Sequence, residues 1–210
     1  VEQVSHVVRI CHEHNIPVVP HGGNTGLVGA GVPHGGIVIS TERLNTIREI
    51  DPVNGTISCD SGVILADIQK AADDADRLFP LSLAAEGSCR IGGNLSTNAG
   101  GVQVLRYGNT RDLTLGLEVV MPDGQIWNGM RGLRKDNTGY DLKHMFIGAE
   151  GTLGVITGAV MKLYPKPKQK ETCLVAFETV ENCIELFTRV SSHAGDALTA
   201  FEAINGFAFS

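Results

Sequence analysis

The run Pro20-His21-Gly22-Gly23-Asn24-Thr25-Gly26-Leu27-Val28-Gly29-Ala30-Gly31 constrains this chain more than any other segment. It puts five glycines within ten residues, directly after the apolar stretch Ile16–Val19. Glycines placed after a strand let the backbone turn tightly and present several N–H groups together, a nest that binds an anion, most often a phosphate. The loop lacks the Gly-Lys-Ser/Thr ending of a nucleoside triphosphate loop. It also lacks a clean Gly-x-Gly-x-x-Gly, because His34 stands where the third glycine after Gly29 and Gly31 belongs.

Two further segments have the same character. One is Gly87-Ser88-Cys89-Arg90-Ile91-Gly92-Gly93-Asn94-Leu95-Ser96-Thr97-Asn98-Ala99-Gly100-Gly101, and the other is Gly148-Ala149-Glu150-Gly151-Thr152-Leu153-Gly154-Val155-Ile156-Thr157. Any one of them alone reads as a turn. Three together point to a long ligand lying against bare backbone, a requirement that a dinucleotide with its pyrophosphate meets and a single small metabolite does not.

The pattern of apolar residues predicts helix at Val1–His14, strand at Pro17–Pro20 and strand at Gly36–Ser40. A hairpin follows at Thr46–Ile50 and Thr56–Ser61, then a helix at Ile64–Ala75. The stretch Phe79–Asp112 reads as long and irregular. A second hairpin joins Leu115–Met121 to Gln125–Trp127 through Pro122-Asp123-Gly124. A short helix near Asp141–Met145 and a strand at Val155–Tyr164 complete the first unit. Pro165-Lys166-Pro167-Lys168-Gln169-Lys170 breaks the pattern as a solvated linker. Strand Thr172–Phe177, helix Val180–His193 and strand Ala197–Glu202 then start a second α+β unit. The expected domains are therefore 1–165 and 166–210, and both ends of the chain read as cut.

The net charge of −6 argues against nucleic acid or an acidic membrane as partner. No apolar run is long enough to span a bilayer. The five cysteines form no Cys-x-x-Cys pair and read as free thiols, with Cys11 in the core and Cys89 packed among small residues. The histidines show no metal-ligand spacing.

On these motifs the sequence resembles the FAD-binding domain of the vanillyl-alcohol oxidase/p-cresol methylhydroxylase superfamily. Pro20–Gly26 matches its pyrophosphate loop, Ile91–Gly101 its second signature, and Arg134–Leu142 running into Gly148–Gly154 its third. Within the superfamily the chain is most similar to the D-2-hydroxy-acid dehydrogenases acting on D-2-hydroxyglutarate, D-lactate or glycolate, with Leu105-Arg106-Tyr107-Gly108 ahead of the second hairpin.

The resemblance implies an α+β fold of two subdomains around FAD, followed by the start of a substrate domain, with the first strand of the cofactor domain lying upstream of Val1. It implies that Gly22, Gly23, Asn24, Thr25 and Gly26 bind the pyrophosphate. Gly87, Ser88, Gly92, Gly93, Ser96 and Asn98 would line the ribityl chain and ring system, and Glu150, Gly151, Val155 and Ile156 would hold the adenosine half. Lys135, Asp136 and Asn137 are expected near flavin or substrate. Relatives that tether the flavin through this loop carry His directly after Gly-Gly. Asn24 stands there, so the FAD is expected to be non-covalent.

The implied reaction is oxidation of a small D-2-hydroxy acid to the 2-oxo acid, with electrons passing to a flavoprotein, quinone or cytochrome. No catalytic residue is expected within the chain, since the histidine-rich catalytic segments, with any divalent metal, lie downstream of residue 210 in such enzymes. A homodimer in the cytoplasm or mitochondrial matrix, or peripheral to a membrane, is the expected setting. Another oxidase or reductase of the superfamily, or a non-catalytic flavin-binding subunit, shares these motifs.

Overall fold

The computed structural model describes residues 1–209. Two units pack together. The smaller opens with helix α1 (Glu2–Glu13), whose Val4, Val8 and Cys11 recur at helical spacing and are buried. Strands β1 (Val18–His21) and β2 (Ile37–Ser40) pair in parallel with Val18 opposite Ile37. Val4, Val8 and Ile39 close a small core with two residues of the larger unit, Val120 and Val155.

The larger unit is an antiparallel sheet of β3 (Ile47–Asp51), β4 (Thr56–Asp60), β6 (Thr114–Val120), β7 (Ile126–Gly129) and β8 (Val155–Lys162), in the order β3-β4-β8-β6-β7. Helix α2 (Leu65–Asp74) buries Leu65, Ile68 and Ala72 against it. A two-residue strand β5 (Arg77–Leu78) pairs with β9 (Tyr164–Pro165). Both expected hairpins form, and β8 inserts between β4 and β6. The β6–β7 turn joins the two units. A β-carbon at Gly124 would stand 2.8 Å from the carbonyl of Ser5, and the buried Ser5 hydroxyl donates to Gly124 O.

Across the sheet, Arg48 on β3 bonds Asp60 on β4 (2.6 Å) and Glu118 on β6 (2.9 Å). Thr157 on β8 donates to the Glu118 carboxylate at 3.0 Å. Four strands are thus stapled by one guanidinium, which lies over Gly158.

Two expectations are corrected. Phe79–Asp112 is not irregular throughout, since it contains helices α3 (Ile91–Ser96) and α4 (Val104–Tyr107). Gly92 and Gly93 weaken the helical signal in α3, but Ile91 and Leu95, four apart and both fully buried, impose the helix from the core. No strand forms at 172–177 or 197–202 among the described residues. A strand needs a ladder partner, and these segments find none, Gly195–Ala197 becoming a 3-10 turn instead. Helix α5 (Lys143–Phe146) forms as expected. So does α6 (Val180–Ala194), capped by Thr179, whose hydroxyl accepts from Asn182 N; it buries no side chain. All five cysteines are free, with Cys11 and Cys89 buried.

Candidate functional site

The three glycine segments meet. Strand β1 delivers Gly22 and Gly23 onto the chain leading into α3. A β-carbon at Gly23 would collide with the carbonyl oxygen of Ser88 and stand 3.0 Å from Cys89 Cα; one at Gly22 would stand 3.5 Å from Gly93 N. Only glycine lets main chain approach main chain this closely.

The third segment docks onto the far end of α3. Gly148 N donates to Leu95 O (3.0 Å) and Glu150 N to Ser96 O (2.9 Å), while Gly151 rests on the ring of Pro20. Helix α3 itself rests on the end of β4, where Gly92 N donates to Ser61 O at 2.7 Å.

Asn24 takes a left-handed conformation (φ 51°), which asparagine tolerates. Asn24, Thr25 and Gly26 are exposed. The His21 ring is bonded through Nε2 to the Gly31 carbonyl, folding the loop back on itself. Gly26, Gly87 and Gly93 face open space, since a β-carbon at any of them would meet nothing within 4 Å.

Ser96 Oγ donates to Gly92 O within the helix (2.8 Å), and Ser88 Oγ reaches Ala85 O at 3.3 Å. The Asn98 side chain accepts from Arg111 N (3.0 Å), and the Arg111 guanidinium in turn holds the carbonyls of His144 and Ile147. Burial pushes the Cys89 thiol up against an opposing hydrogen bond with Asn94, so a neutral side chain lies beneath the loop.

Val155 and Ile156 turn their side chains into the two cores and pair with Val120 and Val119 of β6. A cavity of about 370 Å³ opens beside the third segment, lined by His12, Pro17, Pro20, Val120, Gly151 and Val155 among others. Where the first and second segments meet, Gly26, Gly87 and Gly93 leave their backbone open.

Lys135, Asp136 and Asn137 lie on the chain just after Arg134. They are exposed, and among the described residues no hydrogen bond joins them to a glycine segment. Arg134, just before them, donates to Gly55 O (3.0 Å) and Leu163 O (3.3 Å), at the end of β4 opposite Ser61. Asp136 turns back on Thr138 N (3.1 Å) and lies 3.5 Å from Arg131.

Open backbone at Gly26, Gly87 and Gly93 suits an extended ligand bound by main-chain groups. Among the described residues, the buried side-chain polar atoms without a partner are Ser61 Oγ, Arg90 Nε and Asn94 Oδ1, and all three belong to the junction of α3 with β4. Buried polar atoms left unpaired are rare in folded proteins and mark places where a ligand or water completes the structure. Of these residues, Ser61 lies outside every glycine motif, and nothing in its sequence neighbourhood distinguishes it. Among the described residues, no group of three or more His, Cys, Asp or Glu side chains is arranged to hold a metal ion. Among the described residues no helix is long and apolar enough to cross a membrane.

Residues 1–129 match the family model described as FAD binding domain. The chain belongs to the FAD-binding domain family. Among curated relatives of this FAD-binding chain, the D-2-hydroxyglutarate–pyruvate transhydrogenase DLD3 of Saccharomyces cerevisiae is 46% identical over 96% of the chain and 41% of its own length. The mitochondrial D-2-hydroxyglutarate dehydrogenase of Danio rerio is 45% identical over 97% of the chain and 38% of its own length. The chain thus spans about two fifths of these relatives.

A solved structure of alkyldihydroxyacetonephosphate synthase superposes with a TM-score of 0.68 at 28% identity, covering 80% of this chain and 30% of that one. The fold is the α+β FAD-binding fold of the vanillyl-alcohol oxidase type, as the motifs lead one to expect.

Proposed function

We propose that the full-length protein oxidises a D-2-hydroxy acid to the 2-oxo acid with FAD as electron acceptor, and that residues 1–165 form most of its cofactor domain, with 166–210 opening the substrate domain. The observation that carries this reading is the identity of about 45% to D-2-hydroxyglutarate enzymes across nearly the whole chain.

Bound flavin supplies a two-electron acceptor for the hydride leaving the carbinol carbon. The work of this chain is to bind and orient it. Backbone N–H groups of Gly22–Gly26 serve the pyrophosphate, supported by the Asn24 and Thr25 side chains. The open faces of Gly87 and Gly93, with Ser88, Gly92, Ser96 and Asn98, serve the ribityl and ring portion, and Glu150, Gly151, Val155 and Ile156 serve the adenosine half. The proton acceptor and the cations that hold the substrate carboxylate belong, in this reading, to the part of the longer relatives that the chain does not span, as would any divalent metal. A flavoprotein, quinone or cytochrome would reoxidise the flavin. The mitochondrial relatives favour the matrix as the location, and the homodimer remains the proposed assembly.

Anaerobic mixing of the full-length protein with D-2-hydroxyglutarate is expected to bleach the visible flavin absorbance, and L-2-hydroxyglutarate is not. Equal bleaching by both enantiomers, or none with D-2-hydroxyglutarate, D-lactate or glycolate, would sink this reading.

The flavin is held without a covalent bond. Asn24 stands where a tethering histidine would be, and the His21 ring is already engaged by Gly31. Acid precipitation is expected to leave a colourless pellet and a yellow supernatant; a yellow pellet would refute non-covalent binding.

A further inference from the structure

Arg90 belongs to none of the cofactor contacts proposed above, yet it stands at the centre of the site's supports. Its side chain is 15% exposed. Its guanidinium donates to Gly62 O at 2.5 Å and to Glu42 Oε1 at 3.0 Å. Its β-carbon lies 3.6 Å from where a β-carbon of Gly22 would be.

The two partners lead back to the same loop by another route. Thr41, next to Glu42, takes the His21 carbonyl with both its N–H (2.9 Å) and its hydroxyl (3.1 Å). Gly62 is pressed against the turn containing Thr41: its N–H donates to Leu44 O at 2.7 Å, and a β-carbon there would collide with Thr41 O. A closed circuit results, running from His21 to Thr41, Gly62, Arg90 and Gly22. His21 and Gly22 are adjacent in the chain and enter the nest together.

We propose that Arg90 is a positioning residue for the FAD loop. It ties the turn after β2 and the turn after β4 to the start of α3, and so holds Gly22 and Gly23 against Ser88–Cys89 before the cofactor arrives. Preorganised donors bind without the cost of ordering them at the moment of binding. Of the two anchors, Gly62 O carries the larger share, because the Glu42 carboxylate is 63% exposed and screened by solvent. Arginine suits the place because its planar fork reaches two acceptors in fixed directions, which an ammonium does not.

The inference rests on the FAD reading, and its test keeps the two apart. FAD affinity of the full-length apoprotein is measured by flavin fluorescence titration, together with the visible circular dichroism of the bound flavin and the melting of the apoprotein. Arg90→Met is expected to weaken FAD binding about tenfold, the equivalent of one lost charge-assisted hydrogen bond, and to alter the flavin's dichroism. Arg90→Lys is expected to recover part of the affinity. Glu42→Gln, which keeps an oxygen acceptor, is expected to change it by less than about threefold, as for other exposed ion pairs.

Parental FAD affinity and dichroism in Arg90→Met would overturn the positioning role and leave the cofactor reading standing. So would a loss of affinity in Arg90→Met and Arg90→Lys that only tracks the fraction of apoprotein unfolded. Failure of the parent protein to bind FAD would overturn both.

Discussion

The variant Gly23→Ala is expected to strip FAD from the full-length protein. The added methyl has nowhere to go, since it meets the Ser88 carbonyl and Cys89 Cα, both main-chain atoms that cannot rotate away. Overpacking of this kind costs about 1–3 kcal/mol; the free loop escapes it by moving off Ser88, and restoring the contact on FAD binding lowers affinity by roughly ten- to hundredfold. The apoprotein is expected to melt lower as well, because moving the loop off Ser88 gives up native packing.

Gly93→Ala makes the matching control. Its methyl would enter open space, so it spares the fold, and an alanine inside α3 is favoured over glycine by roughly 1 kcal/mol. It is expected to leave the apoprotein as stable as the parent or more so, while still weakening FAD by about tenfold, the scale of an overpacked contact with the ligand. Affinity by fluorescence titration and melting by circular dichroism separate the two variants. Parental affinity in Gly93→Ala would show that its open face does not look onto the cofactor. Parental affinity in Gly23→Ala would show that the loop does not need its approach to Ser88.

The second large effect is on stability. Arg48→Met removes the only cation bonded to Asp60 and Glu118 among the described residues; their side chains are 13% and 9% exposed. Stranding buried carboxylates costs about 3–5 kcal/mol, and the low end applies here because Arg48 is itself 31% exposed. About 3 kcal/mol corresponds to a fall in melting temperature of roughly 6–12 °C for a domain of this size. The double variant Arg48→Met/Glu118→Gln is expected to recover part of the loss, since fewer charges are then left unpaired. A melting temperature for Arg48→Met within about 2 °C of the parent, the range of a neutral surface change, would mean that the network carries no stability.

How much of this was legible in the sequence varies by element. Helices α1 and α2 announce themselves through Val4, Val8 and Cys11 and through Ile68 and Ala72 at helical spacing. Both hairpins carry turn residues that name them. Helix α3 was hidden because Gly92 and Gly93 look like loop, and only its burial against Ser61 shows why glycine is needed in a helix there. The place of β8 between β4 and β6 was not legible, because a ladder between segments about a hundred residues apart leaves no local mark.

The site divides in the same way. The glycine segments were visible as motifs, and their direct contact through Gly22 and Gly23 was not. Lys135, Asp136 and Asn137 follow a matched motif in sequence, whereas the bond from Arg134 to Gly55 O leaves no mark there. The Arg48 and Arg90 networks were invisible for a related reason: each joins partners scattered along the chain, and single charges in a strand or a loop look like any solvated residue.

The contact of Gly22 and Gly23 with the chain before α3 has a consequence for how such a protein can diverge. A surface that recognises its ligand by lacking side chains is constrained from within, by the main chain it would strike, and hardly at all by the reaction carried out at the ligand's other end. New chemistry can therefore be acquired by rebuilding the parts that face the substrate while this surface is inherited unchanged. Alkyldihydroxyacetonephosphate synthase and the D-2-hydroxyglutarate dehydrogenases, so different in what their names describe, can share one scaffold on those terms.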